Sequence, residues 1–178
     1  MKRFAFLLIA LLAVSLLALP ARADLTGQSG VLTYEFPTQG TIYWNGGGPY
    51  GFNVPGSQGS NYDIVGPPDF LVHNQFTGSG ILITFAAPDF FWNPAQFNGE
   101  HFYFPCFVLT DVVLGGNLGG VLTWDSHNIW INWQDMFVPA GSYVTLGVEG
   151  YGVPEPASLV LLGTGLVGLA GRLRKKLS

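Results

Sequence analysis

The chain predicts an all-β fold, an antiparallel β-sandwich of jelly-roll or Greek-key type, flanked by an N-terminal signal helix and a C-terminal transmembrane helix. Three observations predict it. Through the middle, short runs rich in β-branched and aromatic residues alternate with Gly, Pro, Asn and Asp clusters, and no helical period survives. Each end carries an uncharged apolar segment. All seven Lys and Arg residues lie at the termini (Lys2, Arg3, Arg22, Arg172, Arg174, Lys175, Lys176), so the middle is base-free and acidic although the net charge is only −4.

Residues 1–23 read as a signal peptide. Lys2 and Arg3 form a charged start, Phe4 to Leu19 an apolar stretch, and Ala21-Arg22-Ala23 a small-residue cleavage site, with the cut between Ala23 and Asp24. Such a signal implies the Sec export machinery and signal peptidase as partners. The body, residues 24–153, is one domain of a length that buries about two thirds of its unfolded surface. Its ten acids have no Lys or Arg to pair with, which predicts a domain without salt bridges. Nucleic acid is excluded as a partner, since phosphate neutralisation needs Lys and Arg.

Within the body, Val31 to Phe36 alternates, with Leu32, Tyr34 and Phe36 on one face and Thr33 and Glu35 on the other. Gly40 to Trp44 is a second short run. The tract Asn45 to Pro68 is rich in loops, with strands near Tyr50 to Asn53 and Asn61 to Val65, and Asp69 to His73 is strand-like again. Gly80 to Ala86 places Ile81, Ile83 and Phe85 on one face. Ala87 to Gly99 reads as a loop. His101 to Leu114 is apolar on both faces, as a covered central strand would be, and Pro105 bends or splits it. Cys106, the single cysteine, reads as a buried small hydrophobe. After a Gly-rich turn and Val121 to Asp125, a final hairpin is expected. His127 to Gln134 points Ile129, Ile131 and Trp133 inward, Pro139-Ala140-Gly141 turns the chain, and Ser142 to Glu149 points Val144, Leu146 and Val148 inward. With no lysine to guard sheet edges, Pro37, Pro55, Pro88 and Pro105 are the expected guards.

Residues 154–178 form a three-part tail: Pro154-Glu155-Pro156, a membrane helix over about 157–173, and basic residues across 172–176. The prolines make the tripeptide stiff and extended, as a protease cleft requires. The uncharged run Ala157 to Gly171 falls short of the roughly twenty residues of a full span. Leu173 and Leu177 lengthen it if the basic side chains snorkel, and the basic end belongs on the cytoplasmic side.

In the order and spacing of these parts the tail resembles the PEP-CTERM sorting signal of Gram-negative bacteria, carried by Pro154, Glu155 and Pro156, the Gly-containing apolar run and the basic end. The resemblance implies processing by exosortase, a membrane-embedded cysteine transpeptidase. It also implies transient anchoring in the inner membrane, then delivery to the cell surface or an extracellular polysaccharide matrix.

The body offers weak signals for chemistry. No histidine falls in a metal or protease spacing, and no nucleophile motif is present, so no catalytic residue is assigned and no cofactor is expected. Asp125 and His127 share a face if they lie on one strand. Asp63 and Asp69, flanking Gly66-Pro67-Pro68, are the best-placed calcium candidates in a base-free exported domain, without a recognised calcium loop. Trp130, flanked by Asn128 and Asn132 on the polar face of its strand, could stack a sugar ring. The leading expectation is a non-enzymatic exported surface or matrix protein. The alternative is a secreted carbohydrate-binding module or carbohydrate-active enzyme.

Overall fold

The computed structural model describes residues 24–54, 60–66, 70–86, 89–153 and 163–166. The body is antiparallel β throughout. One five-stranded sheet has the order β3 (Ser60–Gly66), β4 (Phe70–Thr77), β5 (Gly80–Phe85), β12 (Tyr143–Gly152), β8 (Phe107–Gly116). The other has the order β2 (Tyr50–Asn53), β1 (Ser29–Glu35), β7 (Gly99–Tyr103), β10 (Asn128–Asn132), β9 (Val121–Trp124). A two-residue pair, β6 (Phe90–Phe91) with β11 (Phe137–Val138), lies apart from both.

The inward side chains of both sheets share one core. Phe52 on β2 stacks on Phe76 of β4 with ring centroids 3.9 Å apart, and Phe76 meets Phe102 of β7 edge-on. Near the other end, Phe85 meets Trp133 edge-on, and Trp133 stacks on Trp92. Each fully buried phenylalanine contributes about 1.5–3 kcal/mol by leaving water, which is the term a domain without Lys or Arg depends on. Close approach has its own demand at Gly99, where an added Cβ would lie 1.9 Å from the Ile131 carbonyl oxygen of the neighbouring strand.

The expected inward sets hold. Ile81, Ile83 and Phe85 are buried, as are Ile129, Ile131 and Trp133, and Val144, Leu146 and Val148. Pairing departs from expectation. The last two long strands form no hairpin: β10 pairs with β7 and β9, and β12 with β5 and β8. Their connection is too long for a tight turn, and its middle pairs with β6 before the chain crosses to the other sheet. Pro105 does split the run His101 to Leu114, into a sheet-centre strand and an edge strand of the opposite sheet. The turn between them leaves Cys106 exposed, not buried. Gly40 to Trp44 makes a single bridge, Ile42 to Glu35, rather than a strand. Pro37 and Pro105 lie in connections and guard no edge; Pro55 and Pro88 fall outside the described residues. Sheet edges β2 and β9 are instead only four residues long, and short edge strands are themselves a guard against pairing with other chains.

The expected signal segment 1–23 lies outside the described residues, as does the membrane run apart from a helical turn at 163–166. Among the described residues no helix is long and apolar enough to cross a membrane.

Candidate functional site

Two places concentrate features a folded core does not require: the outward face of the sheet built on β1, β7 and β10, and the C-terminal end of β12. On the outward face, register sets Thr33, His101, Trp130 and Thr123 side by side across four strands. The His101 ring lies flat against Trp130, centroids 4.7 Å apart and planes 14° from parallel. Its Nδ1 donates to Glu35 Oε1 at 2.8 Å, and its Nε2 donates to Asn128 Oδ1 at 2.9 Å. The Asn128 amide is oriented from its far side, where Nδ2 donates to both Asp125 carboxylate oxygens. Both imidazole nitrogens therefore lie against side-chain oxygens, which favours the doubly protonated ring.

The titration of the pair agrees. Burial pulls the His101 pKa down, but the hydrogen bonds to Glu35 and Asn128 and the charges of Glu35 and Asp125 outweigh it, and the net shift is upward. Burial pushes Glu35 up, but the bonds from His101 and from the Gly40 backbone N–H (2.6 Å) outweigh it, and the net shift is downward. Glu35 and His101 thus form a salt bridge in a body expected to have none, with histidine as the cation. Both N–H groups are engaged, so the charged ring has no lone pair to offer. The arrangement ties β1, β7 and β10 together.

The other predicted residues resolve as follows. Trp130 is half-buried, with one face taken by His101. Asn128 is committed to His101 and Asp125, and Asn132 Oδ1 accepts from the backbone N–H groups of Asn98 and Gln134. The three do lie on one face of β10, and both amides serve the fold. Asp125 does not orient the His127 imidazole: its carboxylate accepts from the His127 and Asn128 backbone, while His127 Nδ1 faces the carbonyls of Phe104 and Phe107. Asp63 lies on β3 opposite His73, and Asp69 falls outside the described residues. Among the described residues no cluster of three or more His, Cys, Asp or Glu side chains is arranged to hold a metal ion. Asp24 is exposed at a cleft of about 440 Å³ that also meets Asp111 and Glu149; Ala23 lies outside the described residues.

Sequence reasoning missed Glu35 with His101, which stand 66 positions apart. The available signal was chemical. In a body without Lys or Arg, a histidine is the one side chain that can neutralise an acid, so each outward acid on a strand is a candidate partner.

The last strand ends close to the tail sequence. β12 runs to Gly152, and the Val153 N–H still donates to the Cys106 carbonyl at 2.8 Å. Pro154, Glu155 and Pro156 follow at once and lie outside the described residues. Residues 152–175 match the PEP-CTERM protein-sorting motif. No curated protein matches the chain, and no solved structure matches it.

Proposed function

We propose that this chain is an exported protein sorted at the membrane through its C-terminal motif and processed there by an exosortase-type transpeptidase. The observation that carries the reading is the sorting-motif match over residues 152–175, which begins on the last residue of β12. The signal segment would take the chain through Sec, with cleavage between Ala23 and Asp24. The apolar run would hold it in the inner membrane while the enzyme acts near Pro154-Glu155-Pro156. The β-sandwich is then a non-enzymatic structural or adhesive module delivered to the cell surface or to an extracellular polysaccharide matrix. A base-free domain with exposed acids such as Asp24, Asp111, Asp125 and Glu149 gains solubility from self-repulsion once released.

Replacing Pro154, Glu155 and Pro156 together with alanine tests the sorting step. The expected result is a mature protein that keeps its basic tail, read by intact mass. Normal loss of the tail in that variant would overturn the reading. A carbohydrate-binding role remains the second reading. It would require Trp130 to bind sugar with the ring face turned away from His101, since the amides beside it are already bonded.

A further inference from the structure

We propose that the segment the processing enzyme grips begins inside the fold: Gly150, Tyr151 and Gly152, the end of β12, detach from β8 to enter the enzyme as extended substrate. The proposal rests on the sorting reading above. Peptide-cleaving clefts bind several residues on each side of the scissile bond in extended form, with their backbone groups bonded to the enzyme. Here only Val153 separates the last strand residue from Pro154, and its own N–H is taken by Cys106. A cleft acting near the tripeptide therefore competes with β8 for the same backbone.

The end of β12 is built to lose that competition. Upstream the strand is held on both sides. β5 pairs with it from Tyr143 to Gly147, and Val148 N–H donates to the Ser79 carbonyl, while β8 pairs along the whole length. Beyond Val148 the β5 side ends, and a register shift follows between Glu149 and Gly150. Past that bulge, the three residues pair with a single strand, opposite Leu109, Val108 and Phe107 of β8, and Gly152 also lies beside the end of the Gln28 side chain. Val148 is the last side chain β12 places in the core. Gly150 is buried but has nothing to withdraw, and an added Cβ there would lie 2.4 Å from the Phe107 ring. Tyr151 is half-buried, and Gly152 again lacks a side chain. Strand ends with few buried apolar contacts open far more easily than the domain unfolds, and glycine gains the most conformational freedom on release. Detachment would leave the core set of Val144, Leu146 and Val148 in place, so the domain stays folded during processing.

The test uses the full chain, in cells or membranes that process it. A Val108→Cys, Tyr151→Cys pair in a Cys106→Ser background locks the two strands across a direct register position. With the disulfide formed, processing should slow by about tenfold or more, and reduction should restore it. A Gly-Ser insertion between Val153 and Pro154 in the locked chain should restore processing without reduction, because it supplies the extended residues from outside the fold. A locked chain processed at the normal rate would overturn the proposal, and so would a block the insertion fails to relieve. Hydrogen exchange on the unmodified protein is the second measurement. Amides of Gly150 to Gly152 should exchange well before those of Val144 to Val148, and equal protection would count against detachment. The alanine variant of Pro154 to Pro156 keeps the two ideas separate: if it is processed normally, the sorting reading fails, whatever the lock does.

Discussion

Glu35 and Glu100 are the same residue type, are buried to 3% and 0% exposure, and lie on adjacent strands of one sheet, yet burial has opposite outcomes for them. Glu35 points to the outer face, where His101, Thr33 and the Gly40 N–H meet its carboxylate, and it stays ionised with a lowered pKa. Glu100 points into the core between the sheets. Burial pushes it up to about 8, and only the Asn74 amide, at 2.8 Å, opposes that. The Glu100 Oε2 and Asn74 Oδ1 atoms have no protein partner. The difference teaches that depth and donors act together: Glu35, less deeply enclosed, collects His101, the Gly40 N–H and Thr33, whereas Glu100, fully enclosed, has one amide to set against the loss of water.

The largest break in this comparison is Glu100→Gln. Glu100 is protonated in the folded protein up to about pH 8, and in the unfolded chain only below about its ordinary value of 4.5. Through that window the unfolded state binds fewer protons, so stability falls as pH rises, by about 1.4 kcal/mol per unit. Glutamine is neutral in both states and abolishes the slope. The variant should be more stable than the parent by about 2–4 kcal/mol at pH 7 and equal to it below pH 4. Urea unfolding at the two pH values measures this, and equal stability at pH 7 would show that Glu100 is ionised in the fold.

His101→Leu breaks the other half. It leaves Glu35 enclosed without its cation and removes the ring on which Trp130 lies. The cost should be about 1–3 kcal/mol near pH 5.5, between that of an exposed and that of a buried ion pair. The pH dependence carries the diagnosis. Glu35 has a lowered folded pKa, so its contribution is present above about 4.5 and is lost as pH falls through the folded value. His101 has a raised one, so its contribution is complete below about 6.5 and is lost as pH rises through the folded value. In the Glu100→Gln background the pair should therefore give a plateau between these limits, and His101→Leu should erase its alkaline edge, while the acid edge keeps the contributions of the Gly40-bonded Glu35 and of Asp125. An alkaline edge that survives the leucine variant would assign that edge to another group.

What the sequence disclosed follows the same division. Alternation identified the inward residues of β5, β10 and β12, because solvent on one side of a sheet and core on the other impose a period of two. It could not say which strands pair, because the core accepts Ile131 and Leu146 equally from either sheet; the expected hairpin failed for that reason. Glu100 sits at an inward position between His101 and Gly99, where only the register with Tyr34 and Ile131 reveals it. The Glu35–His101 pair needs the register of two strands far apart in the chain, and single-strand periodicity carries no such information. Pro154 to Pro156, by contrast, was legible at once, since a sorting enzyme reads a short linear stretch, as a sequence reader does.

The smallest effect sharpens the comparison at Trp130. A flat aromatic ring within cation–π distance favours the charged imidazole, by about 0.5–1 kcal/mol at a partly exposed site. Trp130→Ala should therefore leave Glu35 and His101 bonded, lower the stability of the plateau by about that amount, and shift its alkaline edge toward lower pH. The acid edge, set by Glu35 and Asp125, should not move. Titration of the His101 ring protons by NMR reads the shift directly. An unchanged His101 midpoint in Trp130→Ala would mean that Glu35 and Asn128 hold the charge unaided and that the stacked indole only covers it.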